Sequence, residues 1–256
     1  MASILEIRDV VKAFGGLQAV SGCSFCVEEG SITALIGPNG AGKTTMFNLI
    51  TGLLRPDGGE IRFRGRSIGG MPTYRIARIG VTRTFQIPRG LERLTVLENV
   101  LLWAKRQSGE RLDVALAGRR RFDEEERGLR ARAERILALV ELSALRDEYA
   151  GHLSGGQKKL LELGRALMAD PALVLLDEPG AGVNPTLMAK LVEAIRAENR
   201  EGRTFLVIEH DMQLVGRLCQ PVIVMSQGRK LVEGTFDEIQ RNEEVLEHYF
   251  GRVHGR

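Results

Sequence analysis

Gly37-Pro38-Asn39-Gly40-Ala41-Gly42-Lys43-Thr44-Thr45 is the stretch on which the reading of this chain turns. Its spacing matches a phosphate-binding loop. Before it, Ser31 to Ile36 reads as a buried strand; after it, Lys43 to Leu53 reads as a helix stopped by Arg55-Pro56-Asp57-Gly58-Gly59. Strand, glycine-rich loop and helix in that order make a cradle for an anion. Glycines let the backbone curl so that successive N–H groups face a phosphate, and the helix N-terminus adds positive potential. In such a loop Lys43 reaches the outer phosphates of a nucleotide, and the Thr44 hydroxyl is placed to hold Mg²⁺.

Outward from this loop the chain reads as α/β. Residues 4 to 10, Cys23 to Val27 and Glu60 to Gly65 alternate apolar with polar residues, as strands of a small antiparallel sheet flanking the nucleotide site would. From about Leu94 to Leu153 helical periodicity takes over, with Leu129, Ala133, Ile136, Leu137 and Val140 on one face. Ala172 to Leu176 and Thr204 to Ile208 are apolar without interruption, as strands buried on both faces of a parallel sheet are. Helices are expected at 157–168 and from Pro185 to Asn199, and a closing hairpin from Pro221 to Glu233. Arg119-Arg120-Arg121 is followed by Asp123-Glu124-Glu125-Glu126; it reads as a solvated loop entering a helix with an acidic first turn.

Composition narrows the function. The chain has 256 residues, enough for one large domain. No apolar run exceeds about five residues, far short of a membrane span, so the chain is not expected to cross a bilayer by itself. With 36 basic against 33 acidic residues the net charge is +3, which supplies no general attraction to nucleic acid. No apolar signal core follows the start, and a cytoplasmic protein is expected. Three cysteines make no disulfide framework, and Cys23 and Cys26, three apart on a strand, would face opposite ways.

Three further sites carry chemistry. Asp177 and Glu178 follow an apolar strand and so emerge at its C-terminal end, the edge where open α/β sheets bind ligands. There Asp177 is expected to hold Mg²⁺ through its water shell, and Glu178 to orient the water that attacks the γ-phosphate. His210 follows another such strand, placed to donate a hydrogen bond to the γ-phosphate or the attacking water. His152, His248 and His254 have no assigned role. Leu153-Ser154-Gly155-Gly156-Gln157 opens a helix with a hydroxyl and two glycines, a second anion site in a chain with only one phosphate loop. The phosphate for it is therefore expected from another subunit.

With that pentapeptide the sequence resembles the ATP-binding cassette (ABC) family, in which it is the signature motif that completes the ATP site of the opposing protomer. The resemblance covers essentially the whole chain. It implies a P-loop NTPase core built on a RecA-like parallel sheet, a flanking antiparallel β subdomain and an inserted α-helical subdomain. The core with its β subdomain would take residues 1–90 and 158–256, and the helical insertion 91–157. It implies that ATP and Mg²⁺ are bound and ATP hydrolysed, with Glu178, His210 and Lys43 catalytic. Ser154, Gly155, Gly156 and Gln157 would contact nucleotide. Gln86, in Thr84-Phe85-Gln86, matches the glutamine that joins core to helical subdomain, touches nucleotide and ligates the metal alongside Thr44 and Asp177. Phe14 matches the aromatic that stacks on adenine, although from the residues alone it could equally be a core side chain. Gly182-Val183-Asn184-Pro185 falls at the dimer-contacting loop, with Asn184 where many members have aspartate.

Phe47 to Gly52, Thr95 to Val100, Glu209-His210-Asp211-Met212 and His248-Tyr249-Phe250-Gly251 look most like the ATP-binding subunits of branched-chain amino acid importers. The implied partners are a second ATPase subunit, identical or paralogous, transmembrane permeases and, indirectly, an external solute-binding protein; no nucleic acid is implied. The implied location is the cytoplasmic face of the membrane. Ile87-Pro88-Arg89 and the arginines around 119 depart from that group's pattern, which leaves urea, other amino acids or lipopolysaccharide export as alternative cargoes. A soluble, non-transport ABC ATPase is the remaining alternative, against which stand the single phosphate loop and the lack of a long heptad run.

Overall fold

The computed structural model describes residues 2–84, 91–105 and 119–250, with backbone alone at 119–123 and 248–250. The chain divides into two compact units, one of Met1–Gln86, Ala172–Ala181 and Arg196–Arg256, the other of Ile87–Pro171 and Gly182–Ile195.

In the first unit, β1 (Ser3–Phe14) and β2 (Leu17–Glu28) form a long hairpin turned by Gly15 and Gly16, with Phe14 paired to Leu17 at its tip. β4 (Gly58–Phe63) pairs antiparallel with β1, and β5 (Arg66–Ser67) with β4, giving a four-stranded sheet in the order β2-β1-β4-β5. Cys23 is buried and Cys26 exposed, the opposite facing that their spacing on β2 requires.

A six-stranded sheet has the order β10-β9-β3-β8-β7-β6. Its strands are β3 (Ile32–Ile36), β6 (Val81–Arg83), β7 (Leu173–Asp177), β8 (Thr204–Ile208), β9 (Val222–Ser226) and β10 (Arg229–Gly234). All neighbours are parallel except the β9–β10 hairpin at one edge. Every residue of β3, β7, β8 and β9 is buried, which is why those segments are apolar throughout instead of alternating. Parallel register aligns Asp177 with Ile208 and Leu35 with Ile208, so the residues that follow β3, β7 and β8 leave the sheet along one edge.

Helix α1 (Lys43–Ile50) buries Met46, Phe47, Leu49 and Ile50 in the core that joins both sheets. It stops before the expected Leu53 because the chain turns at Gly52, φ +72°, where a Cβ would lie 2.3 Å from the Met71 carbonyl. Helix α2 (Thr73–Ile79) and β6 were not anticipated.

The second unit is helical. α3 (Val96–Leu101) starts with a capping box between Thr95 and Glu98, and α4 runs over Arg119–Leu139. α5 (Gly155–Met168) packs on both: a Cβ at Gly164 would lie 3.3 Å from Ile136, 3.6 Å from Val140 and 3.9 Å from Val100. Of the expected apolar face, Ala133, Ile136, Leu137 and Val140 are buried and Leu129 is half-buried. The arginine run is not a loop: helix α4 already begins at Arg119, which moves Asp123 to Glu126 out of its first turn. Arginine is a good helix former, and its propensity carries the helix a turn upstream of the acids.

Helix α6 spans Pro185–Arg200, and the division between the units runs through it. Helices α7 (Met212–Leu218), α8 (Phe236–Arg241) and α9 (Glu243–Phe250) are the last among the described residues. No helix among the described residues is long and apolar enough to cross a membrane.

Candidate functional site: a nucleotide cleft

The loop from Gly37 to Gly42 joins β3 to α1, and its glycines are there for backbone reasons. Gly40 has φ +81° and Gly42, the N-cap of α1, φ +97°. A Cβ on Gly42 would meet the Ala19 carbonyl at 2.4 Å, and one on Gly37 the Met225 carbonyl at 2.1 Å. Around Gly40 there is nothing within 4 Å of a built Cβ, so its glycine serves the curl of the loop and close approach from outside. Lys43 is buried and its ammonium donates to the carbonyls of Gly37 (2.7 Å) and Pro38 (3.0 Å). Burial lowers its pKa, opposed by the charges of Glu178 and Asp177.

This loop floors a cleft of about 580 Å³, all within the first unit. Asn39, Gly40, Ala41, Gly42, Lys43, Thr44 and Thr45 line it from below, Phe14, Leu17, Gln18 and Ala19 from the hairpin, and Glu178, His210 and Gln227 from the sheet edge. Phe14 is half exposed, which decides against its being a core side chain. His210 Nε2 stands 3.1 Å from Glu178 Oε1. Glu178 itself has φ +49°, a left-handed conformation that is rare for a non-glycine and is held by backbone bonds from its N–H to Ile208 O (2.9 Å) and from Ala181 N–H to its own carbonyl (3.1 Å).

Asp177 does not line the cleft. It is buried behind, where Arg83 donates to Oδ2 at 2.7 Å and its own N–H donates to the Thr84 hydroxyl at 3.3 Å. The sequence reading passed over Arg83, as it did Leu17, Gln18, Ala19 and Gln227 on the cleft wall. Gln86 lies outside the described residues.

Ser154 to Gln157 belong to the second unit, at the start of α5. Ser154 and Gln157 close a capping box: the Gln157 N–H donates to Ser154 Oγ at 3.3 Å, and the Ser154 N–H to Gln157 Oε1 at 2.8 Å. Ser154 and Gly155 are exposed, and nothing lies within 4 Å of a Cβ built on Gly155. Asn184 caps α6, its Oδ1 accepting from the Leu187 N–H at 2.9 Å.

Residues 20–181 match the family model for ABC transporters, and 229–255 match that for branched-chain amino acid ATP-binding cassette transporters. The chain belongs to the ABC transporter family. It is an ATP-binding subunit of such a transporter. This cassette is 42% identical over 248 residues to a probable branched-chain amino acid transport ATP-binding protein, LivG, of Archaeoglobus fulgidus, covering 97% of this chain and 95% of that one. To the high-affinity branched-chain amino acid transport ATP-binding protein BraF of Pseudomonas aeruginosa it is 40% identical, covering 98% of each. A nucleotide-free cassette from an ABC transporter superposes with TM-score 0.83 at 37% identity, over 97% of this chain and 99% of that one. The ADP conformation of the cassette MJ1267 gives 0.83 at 35%, over 98% and 100%. The dimeric bacterial cassette MJ0796 gives 0.76 at 26%, over 91% and 98%.

Proposed function

We propose that this subunit hydrolyses ATP as half of a two-fold dimer and so powers uptake of branched-chain amino acids across the cell membrane. Each ATP would lie between the cleft of one subunit and the segment Ser154 to Gly156 of the other, where Ser154 and Gly155 are exposed. The observation that carries the hydrolytic part is the 3.1 Å contact between Glu178 and His210 on the wall of the phosphate-loop cleft. Glu178 is a base within reach of a water at the γ-phosphate. His210 orients that carboxylate and supplies a donor where charge develops. Phe14 offers its half-exposed ring to adenine, and Lys43 exchanges its two carbonyl partners for phosphate oxygens. Ser154 still has its O–H proton to donate, since the capping bond uses only its oxygen.

The oxygen donors fit Mg²⁺. Thr44 is exposed and lines the cleft; Asp177, buried at the end of β7, has one oxygen bound by Arg83. Mg²⁺ takes few protein ligands and keeps waters and substrate phosphates, so two or three oxygen donors suffice. Mg²⁺ would neutralise charge on the β- and γ-phosphates; Thr44 and Asp177 would hold it, together with Gln86.

Loss of the bridging phosphate on hydrolysis would open the dimer and move permeases gripped at the cytoplasmic face of the membrane, with a solute-binding protein delivering cargo outside. The relatives' names and the match at 229–255 support the choice of cargo. Glu178→Gln is expected to bind ATP, to lose turnover by roughly 10²–10⁴-fold, and to accumulate as an ATP-dependent dimer on gel filtration. Unimpaired hydrolysis would remove Glu178 from the mechanism. Stimulation of ATPase by leucine, isoleucine or valine in the reconstituted transporter tests the cargo.

A further inference from the structure

Directly beside His210, Glu209 is 3% exposed, yet it carries a carboxylate. Three backbone donors converge on it. Oε1 accepts from the Gly180 N–H at 2.8 Å, and Oε2 from the His210 N–H at 2.8 Å and the Asp211 N–H at 3.2 Å. A carboxylate has only acceptors to offer and lone pairs enough for all three, whereas an amide would turn an NH₂ group toward at least one of the donors. The three N–H groups belong to two different loops. Gly180 lies in the turn that follows β7, and His210 and Asp211 in the turn that follows β8. Those loops also carry Glu178 and the His210 imidazole.

The side-chain contact between Glu178 and His210 thus has a backbone foundation. The Glu178 N–H to Ile208 carbonyl bond ties the loops on one side of Glu209, and the grip of Glu209 on Gly180 and His210 ties them on the other. Glu178 keeps its left-handed backbone between these two fixings. Nearby, burial pushes the Cys219 thiol up to about 12, with the charge of Glu209 adding to the effect.

We propose that Glu209 is a positioning residue: by clamping Gly180 on one loop and His210 and Asp211 on the other, its carboxylate sets the geometry between Glu178 and His210 needed for hydrolysis, without holding the nucleotide. This rests on the hydrolytic reading above. The test compares Glu209→Gln and Glu209→Ala with the wild type in three measurements: ATPase kinetics, affinity for a fluorescent ATP analogue, and amide hydrogen exchange. The Ala variant is expected to lose kcat at least tenfold while analogue affinity stays within about twofold, and to lose exchange protection at Gly180, His210 and Asp211 but not in the phosphate loop. The Gln variant keeps one acceptor and should fall between the two.

Normal kcat in both variants, or unchanged protection at the three amides, would overturn the proposal. So would loss of nucleotide affinity in step with kcat, which is what general structural damage produces. Should Ala prevent folding, the isosteric Gln variant carries the same comparison. If the wild type itself hydrolyses no ATP, the hydrolytic reading fails; the clamp is then judged by the amide exchange and by the His210 imidazole resonances, which must shift in Glu209→Gln if the clamp sets that ring's place.

Discussion

Arg83 Nη2 lies 2.7 Å from Asp177 Oδ2, and both side chains are almost wholly withdrawn from water. Arg83 also donates to Asn48 Oδ1 at 2.6 Å and holds its guanidinium 5.5 Å from the centre of the Phe47 ring. One arginine thus ties the end of β7 to helix α1, the helix that follows the phosphate loop.

Removing one partner of a buried ion pair leaves the other charge uncompensated, a loss of roughly 3 kcal/mol or more. Arg83→Met is therefore expected to lower the thermal midpoint by about 6–12 °C for a chain of this size. Adding Asp177→Asn to Arg83→Met should restore part of that loss, since the stranded charge is gone. A single variant as stable as the wild type in differential scanning calorimetry would show that the pair contributes little net stability.

The phosphate loop makes a backbone prediction. At Gly42, φ +97° and the 2.4 Å approach of the Ala19 carbonyl to a built Cβ leave alanine no room without shifting main chain. Gly42→Ala should abolish binding of a fluorescent ATP analogue. At Gly40 a Cβ meets nothing, so Gly40→Ala suffers only the left-handed strain, and its loss should be milder. Equal effects at the two positions in a titration would contradict the steric account.

The thiols predict a pH window. Burial raises Cys23 to about 11 and Cys219 to about 12, from 9.0. Between about pH 9 and 11 the unfolded chain has given up these protons while the folded one keeps them. Stability must therefore fall as pH rises, by up to about 1.4 kcal/mol per pH unit per thiol. Below pH 9 both states hold the protons and the contribution is complete. Cys219→Ser should flatten the alkaline limb of a urea-unfolding series. In the native protein a thiol reagent should modify the exposed Cys26 and spare the other two.

These residues also mark what a single sequence discloses. The phosphate loop, the apolar runs of β7 and β8 and the exit of Glu178 and His210 into the cleft were legible, because local spacing and hydropathy dictate both strand and exit point; Asp177 instead ends β7 buried. Arg83 was not: its partner Asp177 lies 94 positions downstream, and only the parallel pairing of β6 with β7 brings them together. β6 itself is three residues long and α2 seven, too short for periodicity to register. Leu17 and Gln18, at the start of β2, and Gln227, in the β9–β10 turn, reach the cleft from the ends of two hairpins whose placement depends on sheet assembly. Glu209 stood in plain view beside His210, but the rule that acids closing a buried strand emerge at the ligand edge does not disclose its role: Glu209, like Asp177, is buried and bound by protein donors, and only Glu178 lines the cleft.

Phe14 supplies the last prediction, through a residue that does not touch the cleft. Asp57 accepts from Lys12 Nζ at 2.7 Å and from the Ala13 N–H at 2.8 Å, pinning the two residues before Phe14, while the Lys12 ammonium stands 5.6 Å from the centre of the Phe14 ring. The Ala13 hydrogen bond first, and Lys12 second, hold the Asp57 carboxyl below its usual range, so the pinning is complete at neutral pH and is lost as pH falls through that lowered value. If the ring is the platform for adenine, Asp57→Ala loosens the platform and leaves Glu178 and His210 alone. KM for ATP should then rise severalfold with kcat unchanged, and Asp57→Glu should not fully restore it, since its longer stem displaces the carboxylate from Ala13. A fall in kcat at constant KM would place the effect of Asp57 on the hydrolytic groups instead of the base.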